Sequence, residues 1–195
     1  FHLEDMVLKL IEFHHSGSMN ISLAGGIFAN VRLNQKIREC GIYKNVYVYP
    51  NMGDGGIANG AVYFYINDIK KETNLPISDL YLGHNLSEDK LAKTALANDL
   101  ILTKPSKIEN ELLERLYKNQ ICGLVQNKME FGPRSLGNRS IVLRPDNEAL
   151  IIELNNRLGR NEFMPFAPSI PENLANKSLL NYSSKDISAD FMTMT

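Results

Sequence analysis

Four cations, Lys128, Arg134, Arg139 and Arg144, fall within one short stretch of this chain, and Glu130 is the only acid among them. The tract reads Gln126-Asn-Lys-Met-Glu-Phe-Gly-Pro-Arg-Ser-Leu-Gly-Asn-Arg-Ser140. Gly132, Pro133 and Gly137 restrict the backbone between the charges, and Arg157 and Arg160 follow downstream. A guanidinium fork can hold two phosphate oxygens at once, so spaced arginines on a constrained loop suit an anion clamp. The alternative is a solvated basic surface. The interposed Phe131 and the glycines argue for the clamp. RNA is the rival ligand, but stacking aromatics are sparse here and the chain carries 21 Lys+Arg against 22 Asp+Glu.

Two glycine-rich turns could also do chemistry. Leu23-Ala-Gly-Gly-Ile-Phe-Ala-Asn30 places Gly25 and Gly26 directly after an apolar strand. Backbone N–H groups can approach an anion there, and the next helix N-terminus adds positive potential. A tight turn needing positive φ explains the same glycines. In Pro50-Asn-Met-Gly-Asp-Gly-Gly-Ile-Ala-Asn-Gly60, Asp54 is a lone carboxylate at a strand-to-helix junction. It could ligate a metal, but the local sequence favours a helix cap. No His-x-x-x-His pair completes a metal site. His14 and His15 are adjacent, so they point about 100° apart on a helix and read as partly exposed residues. Cys40 and Cys122 are too far apart for a zinc motif and too few for a disulfide framework, and read as buried free thiols.

Alternating elements must hold these groups. Leu3, Met6, Val7, Leu10 and Ile11 recur at helical spacing, which predicts a helix over 3–15 that Ser16-Gly17-Ser18 stops. A strand follows at 20–23, a helix at 31–39 closed by Gly41, a strand at 45–49, and a small-residue helix buried over 57–66. This order is that of an α/β layer. A polar linker with Pro76 is expected near 70–80. Beyond it, Ser87-Glu-Asp starts a helix, Ser106-x-x-Glu109 forms a capping box, and Ile121–Val125 is a buried strand. Ile141–Leu143 is a further strand. Asp146 is expected to cap a helix with Leu150, Leu154 and Leu158 on one side. Phe163-Met-Pro-Phe-Ala-Pro168 should be an extended turn.

At 195 residues, 44% hydrophobic and 22% charged, the chain has the make-up of a folded protein with a real core. A near-zero net charge excludes a nucleic-acid coat. No apolar run reaches membrane-spanning length, so a cytoplasmic protein with no membrane partner is expected. The chain opens at Phe1 without Met and breaks off after apolar residues reappear, which suggests a fragment of something longer.

Leu-Ala-Gly-Gly-Ile-Phe-Ala-Asn (23–30) with Gly-Asp-Gly-Gly-Ile-Ala-Asn-Gly-Ala (53–61) resembles the late part of the catalytic domain of O-carbamoyltransferases of the nodulation, cephamycin and tobramycin type. Met-Glu-Phe-Gly-Pro-Arg-Ser-Leu-Gly-Asn-Arg-Ser (129–140) with Pro-Phe-Ala-Pro-Ser (165–169) resembles the opening of their carboxy-terminal domain. The resemblance covers nearly the whole chain, and Glu-Phe-Gly-Pro-Arg is its most specific block. It implies the end of an actin-like ATPase (ASKHA) domain over 1–75 and part of a YrdC-like α+β domain over 76–195. It further implies that carbamoyl phosphate and ATP, with Mg2+, become carbamoyl adenylate, and that the carbamoyl group then moves to a substrate hydroxyl beside Fe2+ or another divalent metal. Residue by residue, Gly25, Gly26 and Asn30 match the nucleotide-contacting turn. Asp54 matches the metal ligand. Lys128, Arg134, Arg139 and Ser140 match the adenylating loop, and Arg144, Arg157 and Arg160 fall on the nucleotide side. The family often has Arg where Met164 stands and Lys where Leu158 stands. Its two metal-binding histidines are absent, so this piece is expected to be inactive alone. A tRNA threonylcarbamoyladenosine factor and a non-catalytic module are the rival readings. An oligomer is compatible with either.

Overall fold

The computed structural model describes residues 2–72, 77, 79–160, 165–182 and 188–195. The chain divides into two units, one formed by 1–80, 131–134 and 181–195 and the other by 81–130 and 135–180. Both mix helices with small sheets. Among the described residues no helix is long and apolar enough to cross a membrane.

In the first unit, α1 (His2–Phe13) precedes β1 (Asn20–Leu23), α2 (Val31–Glu39), β2 (Asn45–Val48) and α3 (Ile57–Phe64). The strands pair in parallel, from Asn20 opposite Asn45 to Leu23 opposite Val48. A parallel pair needs a crossover, and α2 supplies it. Leu33 and Ile37 of α2 are fully buried against Leu23, Val48 and Met52, and Val7, Leu8 and Ile11 of α1 pack on that cluster. Glu4 is buried beside α2, with Lys36 Nζ 2.6 Å from its carboxylate and Arg32 at 3.8 Å. The α2 boundaries follow local chemistry. Asn30 Oδ1 accepts from Leu33 N at 3.1 Å at the start, and Gly41 takes φ +75° just past the end. From the far end of the chain, Thr193 O accepts from the buried Asn34 Nδ2 at 2.8 Å.

The second unit holds α4 (Glu88–Ala97), α5 (Ile108–Tyr117), β3 (Cys122–Val125), β4 (Arg139–Val142), α6 (Glu148–Arg157) and α7 (Glu172–Ser178). β3 and β4 are antiparallel, with Cys122 opposite Val142 and Val125 opposite Arg139. The cationic tract is thus the connection between two paired strands.

Several expectations need correction. α1 ends at Phe13, and His14 and His15 lie exposed beyond it. α3 forms, and a π-helical turn (Tyr65–Ile69) extends it, but it is not buried: Ile57, Val62 and Phe64 are exposed among the described residues. β3 alternates between exposed and half-buried positions, because only one face of a two-stranded sheet is covered. Ser106 does not cap α5; Lys107 is the flanking residue and makes no side-chain cap. Asp146 does not cap α6. Asn147 does, its Oδ1 accepting from Leu150 N at 3.4 Å, because Arg144 holds Asp146. Leu154 is buried, but Leu158 stands past the helix end and is exposed. Both cysteines are free, yet Cys40 is exposed and Cys122 half-buried. Residues 165–170 are non-helical, as Pro165 and Pro168 require, while Phe163 and Met164 lie outside the described residues, as does Pro76 in the linker.

Candidate functional site

The glycine turn of the first unit is tightly built. Gly25 adopts φ 123°, ψ 150°, a conformation open to glycine alone, and its N–H donates to Met52 O at 2.6 Å. That amide therefore serves the fold. Gly26 opens a 3-10 turn (Gly26–Ala29), and the carbonyl of Ala29 accepts from Arg134 Nη2 at 2.7 Å. Gly132, at φ +104°, lies against Pro50 and Asn51. Arg134 is thus brought to the Gly25, Gly26 and Asn30 turn, although it stands a hundred residues away in sequence. Asn30 spends its side-chain oxygen on the α2 cap.

Asp54 opens a second 3-10 turn (Asp54–Gly56) and is exposed. The local preference for a cap is not met, since α3 begins without a side-chain cap bond. Gly56 is required on steric grounds: a Cβ there would stand 2.2 Å from Asn51 O. Among the described residues no three of His, Cys, Asp and Glu lie together as a metal site. Asp54 offers one carboxylate, whereas a first-row metal takes at least three protein ligands. The described residues do not fit a metal on their own.

The cationic tract is organised by the acid inside it. Glu130 is buried, and its Oε1 accepts from Leu136 N (2.8 Å), Asn138 N (2.7 Å) and Arg139 N (3.1 Å). Burial pushes this carboxyl up. The backbone N–H bonds of Glu130, Arg139, Asn138 and Leu136 together outweigh that and hold it below the usual glutamate range. Amides that could have gripped a phosphate are gathered by an internal carboxylate instead. Arg139 works the other way, its Nη1 donating to Gln126 O (2.6 Å) and Asn138 O (2.9 Å) and its Nη2 to Asn127 O (3.3 Å). Ser140 Oγ accepts from Gly137 N at 2.9 Å. Arg139 and Ser140 therefore fix the loop.

Lys128 differs. Its backbone is held by an antiparallel bridge to Asn85 and by Asn138 Nδ2, which donates to Lys128 O at 2.7 Å. Its side chain is exposed on a groove of about 410 Å³ with Tyr81, Asn85, Asn127 and Asn138. The remaining cations do not join it. Arg144 pairs with Asp146 and lies over the Tyr117 ring at 5.6 Å. Arg157 pairs with Glu153 and lines a separate groove of about 620 Å³ with Arg115 and Cys122. Arg160 stacks on Phe166 at 4.5 Å. One run in the sequence meets several separate fates, because a side chain's partner depends on neighbours the run does not contain. The residues missed by sequence reasoning are Glu130, as organiser, and Tyr81 and Asn85, as groove walls. The lone acid in a basic glycine-rich tract was the available signal for the first.

Two family descriptions match this chain in order, the carbamoyltransferase N-terminus over residues 1–63 and the carbamoyltransferase C-terminus over residues 113–195. The chain belongs to the carbamoyltransferase family. Among its relatives are an uncharacterized protein of Methanocaldococcus jannaschii, 35% identical over 92% of this chain and 35% of its own length, and nodulation protein NolNO of Sinorhizobium fredii, 31% identical over 90% of this chain and 27% of its own. Nodulation protein NolO of Bradyrhizobium diazoefficiens is 30% identical over 87% of this chain and 32% of its own length. The chain spans about a third of the curated relatives it matches. Both matched segments carry the geometry described above: the Gly25–Asn30 turn lies in the first, and the Glu130-centred loop lies in the second.

Proposed function

We propose that this chain is part of an enzyme that makes carbamoyl adenylate and passes its carbamoyl group to a hydroxyl of a small acceptor. In this reading residues 1–75 close an actin-like domain and residues 76–195 open a YrdC-like one. Water releases inorganic phosphate from carbamoyl phosphate, the carbamate oxygen attacks the α-phosphorus of ATP, and pyrophosphate leaves. Every partner in that step is anionic, so fixed positive charge favours it. Lys128 would supply that charge from the groove, Glu130 and Arg139 would hold the loop rigid, and Arg134 would brace the Gly25–Asn30 turn. Mg2+ accompanies ATP as part of the substrate.

The observation that carries this reading is the exposed ammonium of Lys128 on an open groove that it shares with Tyr81 and three asparagines, inside the segment matched as the carbamoyltransferase C-terminus. The test is carbamoyl-phosphate-dependent exchange of pyrophosphate into ATP by the full-length protein. Lys128→Ala is expected to lower the rate on the order of a hundredfold, with the unfolding midpoint unchanged. Exchange that needs no carbamoyl phosphate, or equal rates in both proteins, would refute it. The internal pairing of Arg144 and Arg157 favours a second reading, a non-catalytic module that kept the fold. Absence of any exchange in the full-length protein would support that one.

A further inference from the structure

The groove beside Lys128 contains more than a cation. Three carboxamides, Asn85, Asn127 and Asn138, and the phenol Tyr81 line it with the lysine. Two of these groups are already committed. Asn138 Nδ2 donates to Lys128 O, and Tyr81 Oη donates to Leu136 O at 3.0 Å. Neither the Asn85 nor the Asn127 carboxamide has a hydrogen-bond partner among the described residues, and of the two it is Asn85 that stands opposite Lys128 in the antiparallel bridge. Its backbone, by contrast, is held in place. Asn85 bridges Lys128, and two residues earlier Gly83 N donates to Met129 O at 3.0 Å. A Cβ at Gly83 would stand 2.7 Å from Met129 Cβ, so only glycine lets the two segments approach this closely. An unspent carboxamide is therefore held at a fixed register beside an unspent ammonium.

These two groups differ in what they recognise. The ammonium is a point charge for phosphate oxygens. A carboxamide both donates and accepts, so it pairs with another amide through two complementary bonds. A ligand with an anionic phosphate at one end and a neutral amide at the other satisfies both, and carbamoyl phosphate is such a ligand. We propose that Asn85 is the specificity residue of this groove: its carboxamide pairs with the carbamoyl amide while Lys128 takes the phosphate. This rests on the reaction proposed above and adds the means by which the site would distinguish a carbamoyl from an acetyl donor.

The experiment is calorimetric titration of the full-length protein with carbamoyl phosphate, acetyl phosphate and inorganic phosphate. Acetyl phosphate keeps the charge and replaces the amino group by a methyl. The native protein is expected to bind carbamoyl phosphate about tenfold tighter than acetyl phosphate, because the methyl cannot donate to the Asn85 oxygen and one bond of the pair is lost. Asn85→Ala should bring the two affinities together, and Asn85→Leu, which fills the same space, should do the same. Lys128→Ala should weaken all three ligands alike and keep the preference. An unchanged preference in both Asn85 variants, or no preference in the native protein, would overturn the assignment. Failure of pyrophosphate exchange, with the preference lost in the Asn85 variants, would sink the reaction and leave this site standing.

Discussion

Glu130 is the residue on which the cationic loop depends, and its removal has a calculable effect. Glu130→Ala takes the acceptor from three backbone N–H groups, those of Leu136, Asn138 and Arg139. Bonds to a charged acceptor are worth about 1.5–3 kcal/mol each where water cannot replace them. Only Asn138 is buried; Leu136 and Arg139 are half-buried, so water recovers part of their loss. The expected cost is about 2–4 kcal/mol. Glu130→Gln keeps an oxygen in place and loses only the charge, for about 1 kcal/mol. The assay is urea unfolding together with amide exchange at the three positions. The sign of the pH dependence follows from the folded carboxyl lying below its unfolded value. Its contribution is full above the usual glutamate range and fades as pH falls through the lowered folded value. The difference between native protein and Glu130→Gln should therefore narrow in acid. Equal stability of Glu130→Ala and native protein at neutral pH, with the three amides exchanging unchanged, would refute the role given to this carboxylate.

Two glycines of the first unit should respond with opposite sign. Gly56→Ala drives a Cβ onto Asn51 O and should cost at least about 1–3 kcal/mol, whereas Gly60→Ala, in the α3 interior with open space around it, should stabilise by about 0.5–1 kcal/mol; thermal unfolding of both variants checks the pair. Asn30→Ala removes the α2 cap and should cost about 0.5–2 kcal/mol, while Asn30→Asp should restore most of it; a matched loss in both would show that the cap is not the cause.

Local chemistry makes part of this protein legible from its residues alone. The strand at 20–23 and the helix at 31–39 stand where the residues place them, because apolar runs, the Asn30 cap and Gly41 act within a few positions. The α6 cap is different, and local chemistry misplaces it by one residue. Asp146 and Asn147 have equal local claims, and the ion pair to Arg144 decides between them. The apolar composition of α3 suggests a buried helix, yet composition reports how apolar a face is and not whether anything covers it.

The candidate site divides in the same way. The sequence alone determined the family resemblance, the glycine positions and the concentration of cations, since these are properties of residue type and spacing. Which cation faces a groove and which is spent on the fold was decided only in three dimensions. Arg139 and Arg144 carry the same charge as Lys128, but a carbonyl cluster and Asp146 lie within their reach, and among the described residues nothing comparable lies within reach of Lys128. Hydrogen bonds act over about 3 Å, and the partners that settle each charge are brought within that distance by strand pairing and loop closure, not by their separation along the chain.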